Sequence, residues 1–188
     1  GYSKEYWSLF AELGWLTVPF DEADGGFGGC AVDMVVMMEE FGKAMLVEPF
    51  AGTAILAGRL ISELAEGEAR AALIRQIMEG GLQVSLAYAE AGSRFNAASV
   101  RTTAKVEGDN VIISGTKVAV LSGSGTDKLL VVARESGGDT DRSGISVFLV
   151  DANADGVNMH TYANVDGKSA SEIRLSNVTV PSSARIGL

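Results

Sequence analysis

The sequence predicts an α+β protein, with a helical N-terminal domain over residues 1–84 followed by an all-β barrel domain over residues 85–188. Three observations carry this. Apolar residues recur at helical spacing as far as Met78 and at a spacing of two from Val100 onward. Gly80-Gly81 closes the helical part, and the apolar stretch at 84–89 opens the second. Glu107-Gly108-Asp109-Asn110 sits between two alternating runs, which is the pattern of a β-hairpin.

Four helices are expected. In the first, Ser3 is placed to cap and Gly14 to terminate, with Tyr6, Phe10 and Leu13 on one face and Trp7 and Leu9 beside it. The loop TVPFDEADGGFGG follows, with Pro19 and glycines at 25, 26, 28 and 29. It has neither G-x-G-x-x-G after a strand nor G-K-[ST], so it reads as a tight turn packed between helices. In the second helix Val32, Val35, Val36, Met38 and Met45 are the apolar positions among Glu39, Glu40 and Lys43. Met34, Met37 and Met38 are expected as core filler. Pro49 suits the first turn of the third helix, striped by Phe50, Ala54, Ala57, Leu60, Ile61 and Leu64. Gly67 breaks it, and residues 68–79 form the fourth, with Leu73, Ile74, Ile77 and Met78 inward.

In the second half Val100, Thr102, Ala104 and Val106 face one way, and Arg101, Thr103, Lys105 and Glu107 the other. Residues 111–114 begin the return strand and 117–121 continue it. The near-continuous apolar runs at 129–133 and 145–150 predict strands buried on both faces, joined by the solvated loop ESGGDTDRSG. Residues 157–162 alternate and put His160 on the polar side with Asn158 and Tyr162. Ile173, Leu175 and Val178 form the last inward set, and Pro181 ends it. Several short strands with turns between them fit a small barrel or sandwich.

Composition narrows the function. A net charge of −9 without an offsetting basic patch argues against a nucleic-acid partner. No apolar run approaches the ~20 residues that span a bilayer, and no charged-then-apolar leader opens the chain. The one cysteine, Cys30, fits a reducing cytoplasm, and having one histidine, His160, argues against a zinc site or a Ser-His-Asp triad as the expected chemistry. No metal site is predicted. The stretch with the most chemical interest is 86–96, where an apolar strand breaks at Glu90, Gly92 and Ser93 into a polar turn. Such a turn exposes backbone N–H groups that can hold an anionic or heteroaromatic ligand, although an ordinary helix-to-sheet boundary reads the same way.

The order of these elements, with their motifs, resembles the acyl-CoA dehydrogenase family. Pro19 to Gly28 resembles the family's P-x-x-x-x-x-G-G-x-G loop, and MEEFGKA at 38–44 the helix after it. GTKVAVLSG at 115–123 resembles G-x-K-x-W-I-T-N-G, the run at 144–157 resembles G-I-S-x-F-L-V, and LSNVTVP at 175–181 resembles F-x-x-V-x-V-P. The resemblance covers almost the whole chain and implies a family C-terminal helical bundle that this chain lacks. It implies FAD as cofactor and an acyl-CoA substrate, with α,β-dehydrogenation as the reaction. Cofactor contacts are implied at Leu86, Tyr88, Ala89, Glu90, Ala119, Val120 and Leu121, and substrate contacts at Arg94 and Phe95.

The departures are specific. The family's T-E-P-G-A-G-S-D aligns with AEAGSRFN at 89–96. Glu90 and Gly92 are kept, Ala89 replaces the flavin-bonding threonine, and Arg94 and Phe95 replace a glycine and the acyl-CoA-facing serine. In the second contact W-I-T becomes Ala119, Val120 and Leu121. Backbone donors survive such changes; an indole and hydroxyls do not. The pattern resembles the small subunit of two-gene enzymes of the pimeloyl-CoA dehydrogenase type, so a homo- or hetero-oligomer with an acyl-CoA dehydrogenase subunit is expected. No catalytic residue is assigned, and Glu90 is read as structural rather than as the base. A non-catalytic stabilising subunit and a flavin oxidase or monooxygenase of the same fold are the competing readings.

Overall fold

The computed structural model describes residues 2–123 and 125–187. Its helical half contains α1 (Lys4–Glu12), α2 (Ala31–Lys43), α3 (Gly58–Leu64) and α4 (Gly67–Met78). A seven-residue π-helical stretch, Ala51–Ala57, runs directly into α3, and short 3₁₀ turns fill the loop after α1. The Ser3 hydroxyl accepts from the Tyr6 N–H at 3.3 Å, and Gly14 ends the helix in the left-handed region at φ 72°.

Two helical faces differ from the sequence expectation. In α1 the buried pair is Trp7 and Phe10, while Tyr6, Leu9 and Leu13 are about half exposed. The inward face is set by an aromatic cluster in which Phe10 stacks on Phe41 at 5.2 Å and meets Trp15 at 4.8 Å. The Trp7 indole N–H also donates to the Gly80 carbonyl at 3.1 Å, which rotates α1 onto the end of α4. In α2 the inward stripe is Met34, Met37, Met38 and Phe41, at helical spacing. Val32, Val35, Val36 and Met45 stay exposed. That helix is apolar on two faces, so periodicity alone could not choose its phase.

The expected stripe after Pro49 holds: Phe50, Ala54, Ala57 and Ile61 are buried, with Leu60 and Leu64 at its margin. So does that of α4, where Ile74, Ile77 and Met78 are buried. Arg70 of α4 grips Asp24 through both carboxylate oxygens and ties the glycine-rich loop to the helices.

From Val84 the chain is sheet, and among the described residues between 100 and 181 none is helical. The strands are β1 (Val84–Ala87), β2 (Thr103–Glu107), β3 (Asn110–Leu121), β4 (Lys128–Arg134), β5 (Ile145–Asp151), β6 (Val157–Ala163), β7 (Ser169–Pro181) and β8 (Arg185–Ile186). Their order is β6-β7-β3-β2-β4-β5-β8. The β2–β3 hairpin turns at Gly108 and Asp109 as predicted. The sheet curls around one core built from Ile113, Val120, Leu129, Val131, Phe148 and Ile173 with their neighbours. Its outer face meets the helices through Leu130, which packs with Phe20, Ile61, Ile74 and Ile77. β4 is therefore buried on both sides, as its unbroken apolar run implied. Val106 is the exception on β2. It lies next to the hairpin turn and is exposed.

One feature of the sheet positions the candidate site. β1 and β2 follow each other along the same edge of β4, in register at Val84↔Lys128 through Ala87↔Val131 and then at Thr103↔Arg134. The chain between them, residues 88–102, fills the gap in that edge. Of the described residues, no helix is long and apolar enough to cross a membrane.

Candidate functional site

The gap between β1 and β2 brings together the two segments singled out in the sequence. The Val118 N–H donates to the Ala89 carbonyl at 2.9 Å, so residues 88–90 lie against β3. At this point β3 carries a bulge: its pairing with β7 shifts between Lys117↔Ile173 and Val120↔Ser171. Ala119 sits in the bulge at φ 52°, a left-handed conformation unusual for alanine, and its methyl is exposed. Bulges of this kind interrupt pairing and re-aim the residues they contain.

Glu90 anchors the arrangement from beneath. Its carboxylate accepts the Arg101 N–H at 2.8 Å, the Thr102 N–H at 2.9 Å and the Thr102 hydroxyl at 2.7 Å. The ammonium of Lys117, which is fully buried, donates to it at 2.7 Å and to the Tyr88 carbonyl at 3.3 Å. Burial pushes the Glu90 carboxyl up, but the Lys117 ammonium and the Thr102 and Arg101 donors outweigh it and hold the pKa below the usual glutamate value. Burial also pulls the Lys117 ammonium down, against the pull of the Glu90 carboxylate. Three of the bonds to Glu90 fall on Oε1 and one on Oε2, so the carboxylate is tied to a buried ammonium and to the 101–102 backbone, which agrees with its reading as structural.

The remaining predicted residues divide by exposure. Leu86 is half-buried and packs into the helix–sheet cluster. Val120 is buried in the sheet core, so only its backbone can face outward. Tyr88, Ala119 and Leu121 are exposed, and Ala89 is half-buried. Arg94 and Phe95 occupy the turn after Glu90, which Ser93 closes by donating its hydroxyl to the Glu90 carbonyl at 2.8 Å. Phe95 is fully exposed, and Arg94 sits at φ 49°. Among the described residues no carboxylate forms an ion pair with Arg94. No group of three or more histidine, cysteine or acidic side chains suited to a metal occurs among the described residues.

Sequence reasoning missed three residues that build this site: Lys117, Thr102 as a side-chain donor, and Arg134. The signal for Lys117 was present. A lysine inside an otherwise apolar strand, with a glutamate retained at the preceding turn, calls for a buried partner.

The architecture is thus a set of helices followed by a curled, mainly antiparallel sheet, with a break between β1 and β2 filled by residues 88–102. The N-terminal domain of acyl-CoA dehydrogenases matches residues 1–81, and their middle domain matches residues 85–178. The chain belongs to the acyl-CoA dehydrogenase family. It is 28% identical to acyl-CoA dehydrogenase FadE26 of Mycobacterium tuberculosis, over 100% of this chain and 48% of that one. Among solved structures, the ChsE4-ChsE5 complex of the same organism superposes with a TM-score of 0.89 at 26% identity, covering 98% of this chain and 48% of that one. A second, the Tcur3481-Tcur3483 steroid acyl-CoA dehydrogenase, gives 0.88 at 25% identity, with 98% and 48% covered. The chain thus spans about half the length of the relatives it matches.

The site's own chemistry can be set against FAD. Among the described residues the Ala89 N–H has no hydrogen-bond partner, and it lies beside the bulge where β3 breaks its pairing. A free amide at an open edge suits a flat heteroaromatic acceptor. The side chains around it, Ala89, Ala119 and Leu121, add no hydroxyl and no aromatic ring. One free backbone amide is therefore available to such a group, and the neighbouring side chains offer it little.

Proposed function

We propose that this chain forms the N-terminal and middle part of an FAD-dependent acyl-CoA dehydrogenase, acting in an oligomer with an acyl-CoA dehydrogenase subunit. The observation that carries the reading is the wall itself, in which Ala89 is bonded to Val118 beside the Ala119 bulge and braced by Glu90 and Lys117. Ala89, Glu90, Ala119, Val120 and Leu121 would face FAD largely through backbone groups, with Tyr88 at the rim. FAD, when bound, supplies the hydride acceptor for α,β-dehydrogenation of an acyl-CoA thioester. The chain's own part is to orient that ring and to keep the wall rigid through a buried, hydrogen-bonded ion pair. Arg94 and Phe95 would line the substrate side. The proton is abstracted by a group other than Glu90, whose carboxylate is tied to the buried Lys117 ammonium and to the Arg101 and Thr102 donors.

A second reading, a non-catalytic subunit that stabilises an active partner, draws on the same side chains. Ala89, Ala119 and Leu121 offer a flavin little beyond backbone. One experiment separates the two. The full-length natural protein is co-purified with its acyl-CoA dehydrogenase partner, and bound flavin is counted per subunit. Flavin in every subunit, bleached by acyl-CoA, supports the catalytic reading. Flavin only in the partner's share supports the stabilising one.

A further inference from the structure

Arg134, at the end of β4, is buried yet has no carboxylate within ion-pair distance among the described residues. Its guanidinium is spent on six backbone carbonyls instead. Nε donates to Val100 at 2.9 Å, and one terminal nitrogen donates to Ser136 at 3.2 Å and Ser143 at 3.0 Å. The other donates to Ala98 at 2.9 Å, Asp139 at 3.3 Å and Asp141 at 3.0 Å. All of its N–H groups are therefore in use, and it has none left for a ligand. A buried cation is costly unless something neutralises it.

The neutralising charge is one peptide away. The Val100 carbonyl and the Arg101 N–H belong to the same peptide group. Its oxygen receives Arg134 Nε at 2.9 Å, and its N–H donates to Glu90 at 2.8 Å. In a trans peptide the two bonds point in opposite directions, so this group lies as an aligned dipole between a buried cation and a buried anion. A second strand of the same link runs through Thr102, whose carbonyl accepts the Arg134 backbone N–H at 2.7 Å and whose own N–H reaches Glu90 at 2.9 Å. Lys117 sits on the far side of Glu90.

We infer that Arg134 is a positioning residue for the candidate cofactor wall, acting through the 100–101 peptide on Glu90 and thereby on residues 88–90. The inference rests on the wall being the functional site, but the mechanical link can be tested without cofactor. Residues 98–101 have no strand partner of their own. Arg134 holds the Ala98 and Val100 carbonyls from one side, and Glu90 takes the Arg101 and Thr102 amides from the other. Remove the guanidinium fork and Glu90 loses the fixed donors that orient it. Lysine cannot substitute, because a single ammonium cannot reach carbonyls arrayed around a plane.

The test uses the full-length natural protein in its assembly, with Arg134→Lys, Arg134→Gln, Glu90→Gln and a distant core control, Val180→Ala. Amide exchange is followed by mass spectrometry on peptides covering 88–96 and 98–102, and FAD affinity is measured in parallel. Both Arg134 variants should speed exchange in both peptides by about tenfold, and weaken FAD to a similar degree, while Val180→Ala changes neither. Glu90→Gln should loosen 98–102 from the opposite side, and it decides the link if neither Arg134 variant folds. Faster exchange at 98–102 with residues 88–96 left as in the wild type would overturn the inference, as would equal effects from Val180→Ala. A wild-type protein that takes up no FAD would sink the proposed function, and the exchange data would still decide the role of Arg134.

Discussion

At the scale of single residues, the buried Glu90–Lys117 pair makes a claim about pH. Glu90 has its carboxyl held below 4.5 in the fold, so its contribution to stability is complete above the unfolded value and is lost as pH falls through the folded one. Glu90→Gln leaves the Lys117 ammonium buried without an anion and should cost about 3 kcal/mol near neutrality. That difference should shrink as pH drops below 4.5, because the wild type loses what the variant never had. Denaturant titrations of both proteins across the acid range check this, and parallel curves would contradict it. Arg94 supports a second prediction. It is exposed, held at φ 49°, and has no ion-pair partner among the described residues, so the surface ion pair that would explain it blandly is not seen. On the proposed reading its guanidinium can pair with the far carboxylate of a dicarboxyl substrate. In the assembled protein, Arg94→Ala should therefore raise KM for a dicarboxyl-CoA about tenfold and leave the monocarboxyl analogue nearly unchanged. Equal effects on both substrates would remove Arg94 from substrate recognition. Glu90 as a structural carboxylate was legible through the family resemblance, in which a glutamate stands at this place without serving as the base. Lys117 and Arg134 were not assigned, because their partners lie 27 and 34 residues away and only the fold brings them together.

Among the elements, what the sequence revealed depended on how uneven each pattern was. α4 and the stripe after Pro49 have one apolar face, and both came out as read. α2 has valines on one face and methionines on another, and the aromatic cluster around Phe41 chose the methionines. The β3 bulge was not legible, since one extra residue in a ladder leaves no mark on an alternating apolar run. The glycine-rich loop was read as a tight turn, and its geometry yields a paired prediction. A methyl on Gly26 would stand 2.1 Å from the Phe20 carbonyl oxygen, a backbone atom that cannot give way. Gly26→Ala should therefore cost about 2–3 kcal/mol. Gly42, in the last turn of α2, has nothing within 4 Å of such a methyl, and Gly42→Ala should stabilise by about 0.5 kcal/mol. Chemical denaturation of the two single variants settles both signs, and a destabilised Gly42→Ala would mean that α2 packs differently.

For the whole molecule the question is how well the proposed cofactor wall can hold a flavin by its backbone when the side chains depart from the family pattern. The order of helices and strands, and the place where one gives way to the other, were legible because the hydrophobic period changes at Val84. The two segments singled out in the sequence are brought together by the fold, bonded through Ala89 and Val118. How strongly the proposed wall would bind was not legible, because that depends on contacts made by groups the sequence replaces. Against the family pattern, Ala89 and Leu121 remove two hydroxyls and Ala119 removes an indole. A hydrogen bond contributes about 0.5–1.5 kcal/mol net, and burying a group the size of an indole adds about 2–3 kcal/mol. Together these come to about 4 kcal/mol, or roughly a thousandfold in affinity. The bond between Val118 and Ala89 keeps the wall in place but does not replace what is lost. The 188-residue chain alone should therefore purify colourless and bind added FAD only weakly, with flavin acquired in the full-length protein and its assembly. Visible absorption of the purified chain and a calorimetric titration with FAD test this directly. Tight, stoichiometric uptake by the isolated chain would show that the backbone donors around Ala89 and the Ala119 bulge are enough by themselves to hold the ring.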